Sequence, residues 1–289
     1  MRAERSPNVG PGAVDTPRCR LAVLLTAVML GLVGVAMLSP ATASAQEQTY
    51  VIATDTTFAP FEFQDAQGNF VGIDMDLIRA IAEDQGFNVD IKPLGFDAAL
   101  QAVQANQVDG VIAGMSITDE RKQVFDFSEP YFESGVQMAV LEDNEDVKSY
   151  EDLRGKRVSV KNGTQGSDFA NSIKDQYGFE VVSFADSSTM FDEVKTGNSA
   201  AVFEDYPVLL YGIAQGNGFK TVTPKEDPTG SGVAVNKGQN PELLSKFNEG
   251  LNNLRESGKY AEIVNSYLGE DASTADTFYL GLNKSTFPI

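Results

Sequence analysis

From Tyr50 onward, short runs of apolar and β-branched residues alternate with segments whose apolar positions recur every three or four residues. The first pattern is that of strands and the second that of amphipathic helices, so their alternation predicts sheets flanked by helices, with parallel strands. Val51–Ala53 reads as the first strand. Asp74 is placed to cap a helix that buries Leu77, Ile78, Ile81 and Ala82 and ends at Gly86. Val89–Lys92 is the next strand, Asp97 begins a helix that buries Leu100 and Val103, and Val108–Ala113 is a third strand. The plan then repeats as strand Arg157–Lys161, a helix from about Ser167, strand Val181–Phe184, a helix over Thr189–Thr196 and strand Ala200–Phe203. Two similar α/β lobes are therefore expected. Asn240-Pro241 opens a late helix with Leu244, Phe247, Leu251 and Leu254 along one stripe; Gly258 stops it and Tyr260–Leu268 follows. No period survives from Glu270 to Ile289, so 270–289 is expected to be a poorly ordered tail.

The N-terminus follows another pattern. Arg18 and Arg20 precede an apolar run, Leu21–Leu38, after which small residues end in Ala43-Ser44-Ala45. This is the arrangement of a secretory signal cleaved before Gln46, which assigns 1–45 to a signal peptide and predicts a periplasmic or secreted protein. The single cysteine, Cys19, lies before that run, so the chain beyond Ala45 has no thiol for a disulfide, a metal site or covalent catalysis. With no histidine anywhere, imidazole acid–base chemistry and histidine metal sites are excluded, and neither cofactor nor metal is expected. The formal net charge is −19; the segment to Ala45 carries four arginines against Glu4 and Asp15, so the remainder is two units more negative, at −21. Such a surface repels nucleic acid and anionic lipid.

Three strings carry more specific information. They are Thr54-Asp55-Thr56-Thr57-Phe58-Ala59-Pro60-Phe61-Glu62-Phe63, then Gly114-Met115-Ser116-Ile117-Thr118-Asp119-Glu120-Arg121-Lys122 running on to Phe125-Asp126-Phe127-Ser128, and Lys161-Asn162-Gly163-Thr164-Gln165-Gly166-Ser167. In this order and spacing the chain from Tyr50 to about Gly269 resembles the polar amino acid family of extracytoplasmic solute-binding proteins, most closely the glutamine-binding type. The resemblance implies a two-lobed periplasmic binding protein fold of type II, two α/β lobes joined by a two-strand hinge. Lobe 1 would comprise 50–134 and 231–269 and lobe 2 135–230, with crossover strands near Tyr131–Gly135 and Thr229–Val233. It also implies a monomer that takes an amino acid between the lobes and delivers it to the membrane permease of an ABC importer.

A free amino acid requires an anion receptor, a cation receptor and a side-chain pocket. Arg121 offers a planar fork that matches a carboxylate, although composition alone would pair it with Asp119, Glu120 or Asp126. The resemblance assigns the α-carboxylate to the positions of Ser116, Arg121 and Gln165, with backbone N–H groups around Thr118 and the Thr164–Gln165 turn completing the cradle. Asp205 follows a strand at its carboxyl end, where open α/β sheets bind ligands, yet Asp205 before Pro207 also reads as a helix cap. The family position matching Asp205 holds the ammonium group. Phe58 and Phe96 would sandwich the aliphatic stem, while Asp55, Lys161 and Glu204 would meet the side-chain end. Asp55 and Lys161 together suit a neutral amide. Glutamine-binding proteins have histidine where this chain has Glu204, which leaves open whether Glu204 neutralises Lys161, accepts from an amide or favours a cationic ligand. The expected order is glutamine, then arginine or lysine, then glutamate. A dehydratase-like enzyme with Glu204 or Asp55 as general acid is the competing class; it needs a carboxyl of raised pKa, which Lys161 should oppose.

Overall fold

The computed structural model of the chain describes residues 47–269. The signal segment and the tail expected at 270–289 fall outside the described residues. The chain opens with β1 (Thr49–Thr54), the short pair β2 (Phe63–Gln64) and β3 (Phe70–Val71), α1 (Ile73–Gln85), β4 (Asn88–Pro93), α2 (Phe96–Gln104), β5 (Gly110–Val111) and β6 (Phe125–Phe127). It continues through β7 (Phe132–Leu141), β8 (Arg157–Lys161), α3 (Gln165–Tyr177), β9 (Glu180–Phe184), α4 (Ser187–Lys195), β10 (Ala201–Asp205), α5 (Tyr206–Ala214), β11 (Phe219–Thr221) and β12 (Glu226–Ser231). It then returns with β13 (Ala234–Asn236), α6 (Pro241–Glu256) and α7 (Lys259–Leu268).

Two sheets result. The first has the order β4-β1-β5-β13-β6, and the second runs β11-β7-β10-β8-β9 with β12 also on β7. Within each, the strands of the expected strand–helix–strand units are parallel, as β1 is to β4 and β5, and β8 to β9 and β10. The sheets as wholes are mixed, because the strands that carry the chain between lobes enter antiparallel: β13 against β5 and β6, and β7 against β10, β11 and β12. Both faces of the first sheet are covered, one by a core containing Ile52, Ile78 and Phe247 and the other by Ala99, Val103 and Phe125. In the second lobe Phe203 is the centre of an aromatic stack with Tyr150 and Phe179. Side chains also cross between lobes, since Val208 of α5 is buried in the first lobe's core.

The crossover is a pair of antiparallel strands, with Phe132, Glu133 and Ser134 of β7 opposite Ser231, Gly230 and Thr229 of β12. Past this point the register shifts between Glu226 and Thr229, where Asp227 takes a positive φ of 44°. A Cβ on Gly135 would lie 2.8 Å from the Glu226 carbonyl oxygen, so only glycine lets the bulge close against β7.

Several local expectations change. Asp74 does not cap α1: the helix begins at Ile73 behind Gly72, whose φ is 134° and whose backbone lies so close to Phe61 that a side chain is excluded. Asp74 instead turns into the core. The strand expected over Val108–Ala113 pairs only at Gly110–Val111, because Gly114 adopts a positive φ of 54° and turns the chain away. Leu100 is half-buried while Ala99 takes the core position, and in α6 the core stripe is Leu243, Phe247, Leu251 and Leu254, with Leu244 at its margin. Gly86 ends α1 in the left-handed conformation, as expected.

Candidate functional site

Three strands from the two lobes end at one seam. Asp55 follows β1, Lys161 is the last residue of β8, and Glu204 and Asp205 close β10. All four are essentially excluded from solvent. Charged groups are buried this deeply only where they are paired or used.

Around this convergence lies a small pocket lined by Asp55, Phe58, Phe96, Ser116, Arg121, Lys161, Thr164, Gln165 and Asp205, together with Ala113, Gly114 and Met115. Its volume is about 10 Å³, room for roughly one water molecule. Thr118 lies outside it, on the wall of a wider cleft of about 970 Å³ on the hinge side. The charged side chains of that cleft, such as Asp119, Lys122, Asp227 and Lys237, are exposed, so the smaller pocket is where the buried chemistry collects. Glu204 also stands off the pocket wall, behind Asp205 and Ser187.

Each polar group has a definite environment. Lys161 Nζ pairs with the Asp55 carboxylate across the seam, lies 3.3 Å from Ser187 Oγ, and sits 5.1 Å from the centre of the Phe58 ring. Glu204 does not contact Lys161 directly: its Oε2 lies 3.4 Å from the same Ser187 hydroxyl and its Oε1 accepts from the Asp205 N–H at 2.9 Å. Burial, reinforced by the neighbouring Asp205 charge, raises the Glu204 carboxyl from 4.5 to about 8; Lys161 opposes this without prevailing. Lys161 lowers it as expected, and burial outweighs that effect. Asp205 occupies the cap position of α5 without bonding to that helix. Its Oδ2 accepts from Ser134 Oγ at 2.5 Å instead. Burial raises the Asp205 carboxyl to about 6, against the lowering effects of Ser134, Arg121 and Lys161.

Arg121 opens a single 3₁₀ turn that Thr118 supports by accepting the Arg121 N–H at 3.2 Å. Its guanidinium donates at 2.9 Å to Ser116 O in its own lobe and at 2.9 Å to Gly163 O in the other, with its centre 5.4 Å from that of the Phe96 ring. Burial lowers its pKa, while Asp205 and Asp168 act in the opposite sense. Across from it, Thr164 caps α3 by accepting from Ser167 N at 3.2 Å, and Gln165 forms the first turn. A Cβ on Gly166 would lie 2.7 Å from Phe203 O, so glycine allows the start of α3 to press against the end of β10. The positive end of that helix thus faces the pocket, a favourable setting for an anion.

Two residues escaped the sequence reading. Ser134, at the start of the hinge, orients Asp205; Ser187, at the first turn of α4, links Lys161 with Glu204 and donates its N–H to Thr57 Oγ1 of the first lobe at 3.2 Å. Ser187 follows a strand end and a capping Asp186, which is the only local signal it gives.

Two mixed α/β lobes on a two-strand crossover, with buried opposite charges meeting at their seam, define the type II periplasmic binding protein fold. The chain belongs to the bacterial extracellular solute-binding proteins, family 3, whose model matches residues 50–270. It is 29% identical to the arginine-binding extracellular protein ArtP of Bacillus subtilis over 218 residues, which cover 74% of this chain and 83% of that protein. Among solved structures, it is similar to an ancestral arginine-binding protein bound to glutamine, with 40% identity, coverage of 78% of this chain and 99% of that one, and a TM-score of 0.72. The second substrate-binding domain of Lactococcus lactis GlnP, in an open conformation, is 44% identical over 77% of this chain and 96% of its own, with a TM-score of 0.55.

Proposed function

We propose that this protein is the extracytoplasmic substrate-binding component of an amino acid ABC importer, binding a free polar L-amino acid, preferentially glutamine, between two closing lobes. The observation that carries the reading is Arg121 from one lobe and Asp205 from the other on the wall of a single small pocket. The guanidinium, with Ser116 and the first turn of α3, takes the α-carboxylate; Asp205 takes the α-ammonium. One ligand thereby ties the lobes together, and the contacts it makes only when they are closed shift the population toward closure. With room for about one water, the pocket admits an amino acid only if the lobes part first. The comparisons support such a motion: the more identical relative is the open one, yet the glutamine-bound relative superposes better.

Glutamine is favoured because its side-chain amide carries both a donor and an acceptor. It can insert at the Lys161–Asp55 pair, accepting from the ammonium and donating to the carboxylate, and leave no buried charge alone. An arginine or lysine side chain would compete with Lys161 for Asp55, and glutamate would compete with Asp55 for Lys161. The lobes are 50–134 with 231–269, and 135–230; segment 1–45 directs the chain out of the cytoplasm, and the partner is a separate permease. The raised Glu204 carboxyl gives the enzyme reading a foothold, but both its oxygens are engaged by Ser187 and Asp205, away from the pocket wall.

The test is a thermal-shift screen of the protein from Gln46 against all amino acids, with product analysis of each mixture. A ligand at about 100 times its Kd adds roughly 2.7 kcal/mol to stability. Glutamine should give the largest shift and be recovered unchanged. No shift with any amino acid would refute the reading.

A further inference from the structure

Beneath the pocket lies a second cluster of acids that plays no part in the ligand scheme. Glu62 and Asp74 are both fully buried in the first lobe. Asp74 Oδ2 is well served, accepting from the Gly114 N–H at 2.7 Å and the Tyr131 hydroxyl at 2.8 Å. Its Oδ1 accepts no hydrogen bond from an N–H or a hydroxyl among the described residues, and neither oxygen of Glu62 does either. Two carboxylates are poorly placed to be ionised together here, since the donors on Asp74 Oδ2 leave its other oxygen and both oxygens of Glu62 unserved and the two charges would repel. One arrangement satisfies both: a proton on Glu62 that is donated to Asp74 Oδ1.

We propose that Glu62 is a positioning residue that carries this proton, and that the bridge Glu62–Asp74 holds the pocket in its binding shape. The inference rests on the pocket being the amino-acid site. Glu62 closes the turn that presents Phe58, through Phe58 N to Glu62 O at 2.8 Å and Glu62 N to Phe58 O at 3.2 Å. Asp74 fixes Gly114, whose backbone is packed so tightly under the Phe58 ring that a Cβ would lie 2.5 Å from it. Asp74 also fixes Tyr131, the residue before the crossover strand β7, whose carbonyl accepts from Tyr260 at 2.6 Å. One proton therefore couples the aromatic wall, the pocket floor and the entry to the hinge.

The groups that face Glu62 are Asp74, Asp55 and, across the seam, Lys161. The two acids favour the protonated form and Lys161 opposes it; burial is the largest influence and holds the Glu62 carboxyl well above its usual range. Tyr131 is likewise pushed upward by burial and by Asp74 and Glu62, so it stays a donor. Because the folded-state pKa of Glu62 lies above the unfolded one, stability from the bridge is present at low pH and is lost as pH rises through the folded value.

The experiment is infrared difference spectroscopy of the carboxylic acid carbonyl stretch, joined to glutamine titrations from neutral to alkaline pH. Glu204 contributes its own protonated band, so the comparison is between the parent and Glu62→Gln. That variant should lose one band at neutral pH and bind glutamine within about threefold of the parent, because an amide N–H can still donate to Asp74. It should also lose part of the parent's alkaline decline. Glu62→Met fills the space without a donor and should weaken binding on the order of tenfold. Should Glu62→Gln fail to fold, Asp74→Asn removes the facing charge and offers an N–H in its place, so the Glu62 band should shift and give way to the carboxylate at a lower pH than in the parent. Unchanged bands in these variants, or an unchanged alkaline decline in Glu62→Gln, would overturn the proposal. Failure of the parent to bind any amino acid would overturn the reading of the pocket instead, with the infrared band still reporting whether Glu62 holds its proton.

Discussion

If Asp205 receives the ligand's ammonium group, binding must drive a proton off it. Burial raises this carboxyl from 3.8 to about 6 in the folded protein. That rise corresponds to roughly 3 kcal/mol of stability given up at neutral pH, through one residue. The sign follows from linkage: a group whose folded pKa is raised stabilises the fold at low pH and withdraws that contribution as pH rises through about 6. A cation placed against Asp205 favours its ionised form, so the complex should lower this pKa and affinity should fall as the solution is acidified. With the free group at about 6, the ionised fraction drops from about 0.9 at pH 7 to about 0.09 at pH 5, a loss of about tenfold in affinity or ~1.4 kcal/mol. Near pH 6 about half a proton should be released for each ligand bound. Isothermal titration calorimetry in two buffers of different ionisation enthalpy reads both quantities. Asp74 is also raised to about 6, chiefly by burial, and titrates in the same window. Asp205→Asn is therefore the necessary control, and it should bind weakly at every pH with the acid limb gone. A dissociation constant that stays within about twofold between pH 7 and pH 5, or proton uptake on binding, would refute the assignment of the ammonium to Asp205.

Two substitutions test the rest of the pocket. Arg121→Ala should reduce glutamine affinity by on the order of a hundredfold or more, because it removes a charge-assisted fork; Arg121→Lys should recover only part of it, as lysine cannot reproduce the donation to Ser116 O and Gly163 O. Gly114→Ala should lower stability by about 1–3 kcal/mol, measured by urea unfolding, and weaken binding together with it. The new Cβ would meet the Phe58 ring on a backbone of positive φ, and an unaltered affinity would show that Phe58 takes no part in holding the ligand.

Much of the framework could be read from local pattern. The span of β8, the glycine stop at Gly86 and the helix opened by Asn240-Pro241 are written in windows of a few residues, and the structure reproduces them. Phase within a window is less secure, since Leu243 and Leu244 are equally apolar and only packing chooses between them. Asp74 and Asp205 show the deeper limit. Each is flanked by the residues that surround helix caps, and each has its carboxylate engaged far along the chain, with Gly114 and Tyr131 in one case and Ser134 in the other. A local motif specifies where a helix begins; it does not specify which way a carboxylate turns once a partner from another segment is available. For the same reason Ser134 and Ser187 went unseen, as a lone serine acquires meaning only from the acid that the fold places beside it.

The seam also constrains how tight any ligand can be. Its closure is supported by contacts that need no ligand: Lys161 with Asp55, Arg121 with Gly163 O, and Ser187 N with Thr57. A side chain inserted between Lys161 and Asp55 replaces an existing buried pair, so its contribution is the difference between two sets of interactions made in the same low-dielectric place. The backbone end of the ligand is different. Asp205 is held by one serine hydroxyl and meets no cation directly, and its raised pKa records how poorly its charge is compensated. An ammonium group brings it a partner it otherwise lacks. The physical expectation is therefore that the α-ammonium and α-carboxylate supply most of the affinity, whereas the Lys161–Asp55 pair, which gains little from any ligand and loses much from a wrongly charged one, supplies the selectivity.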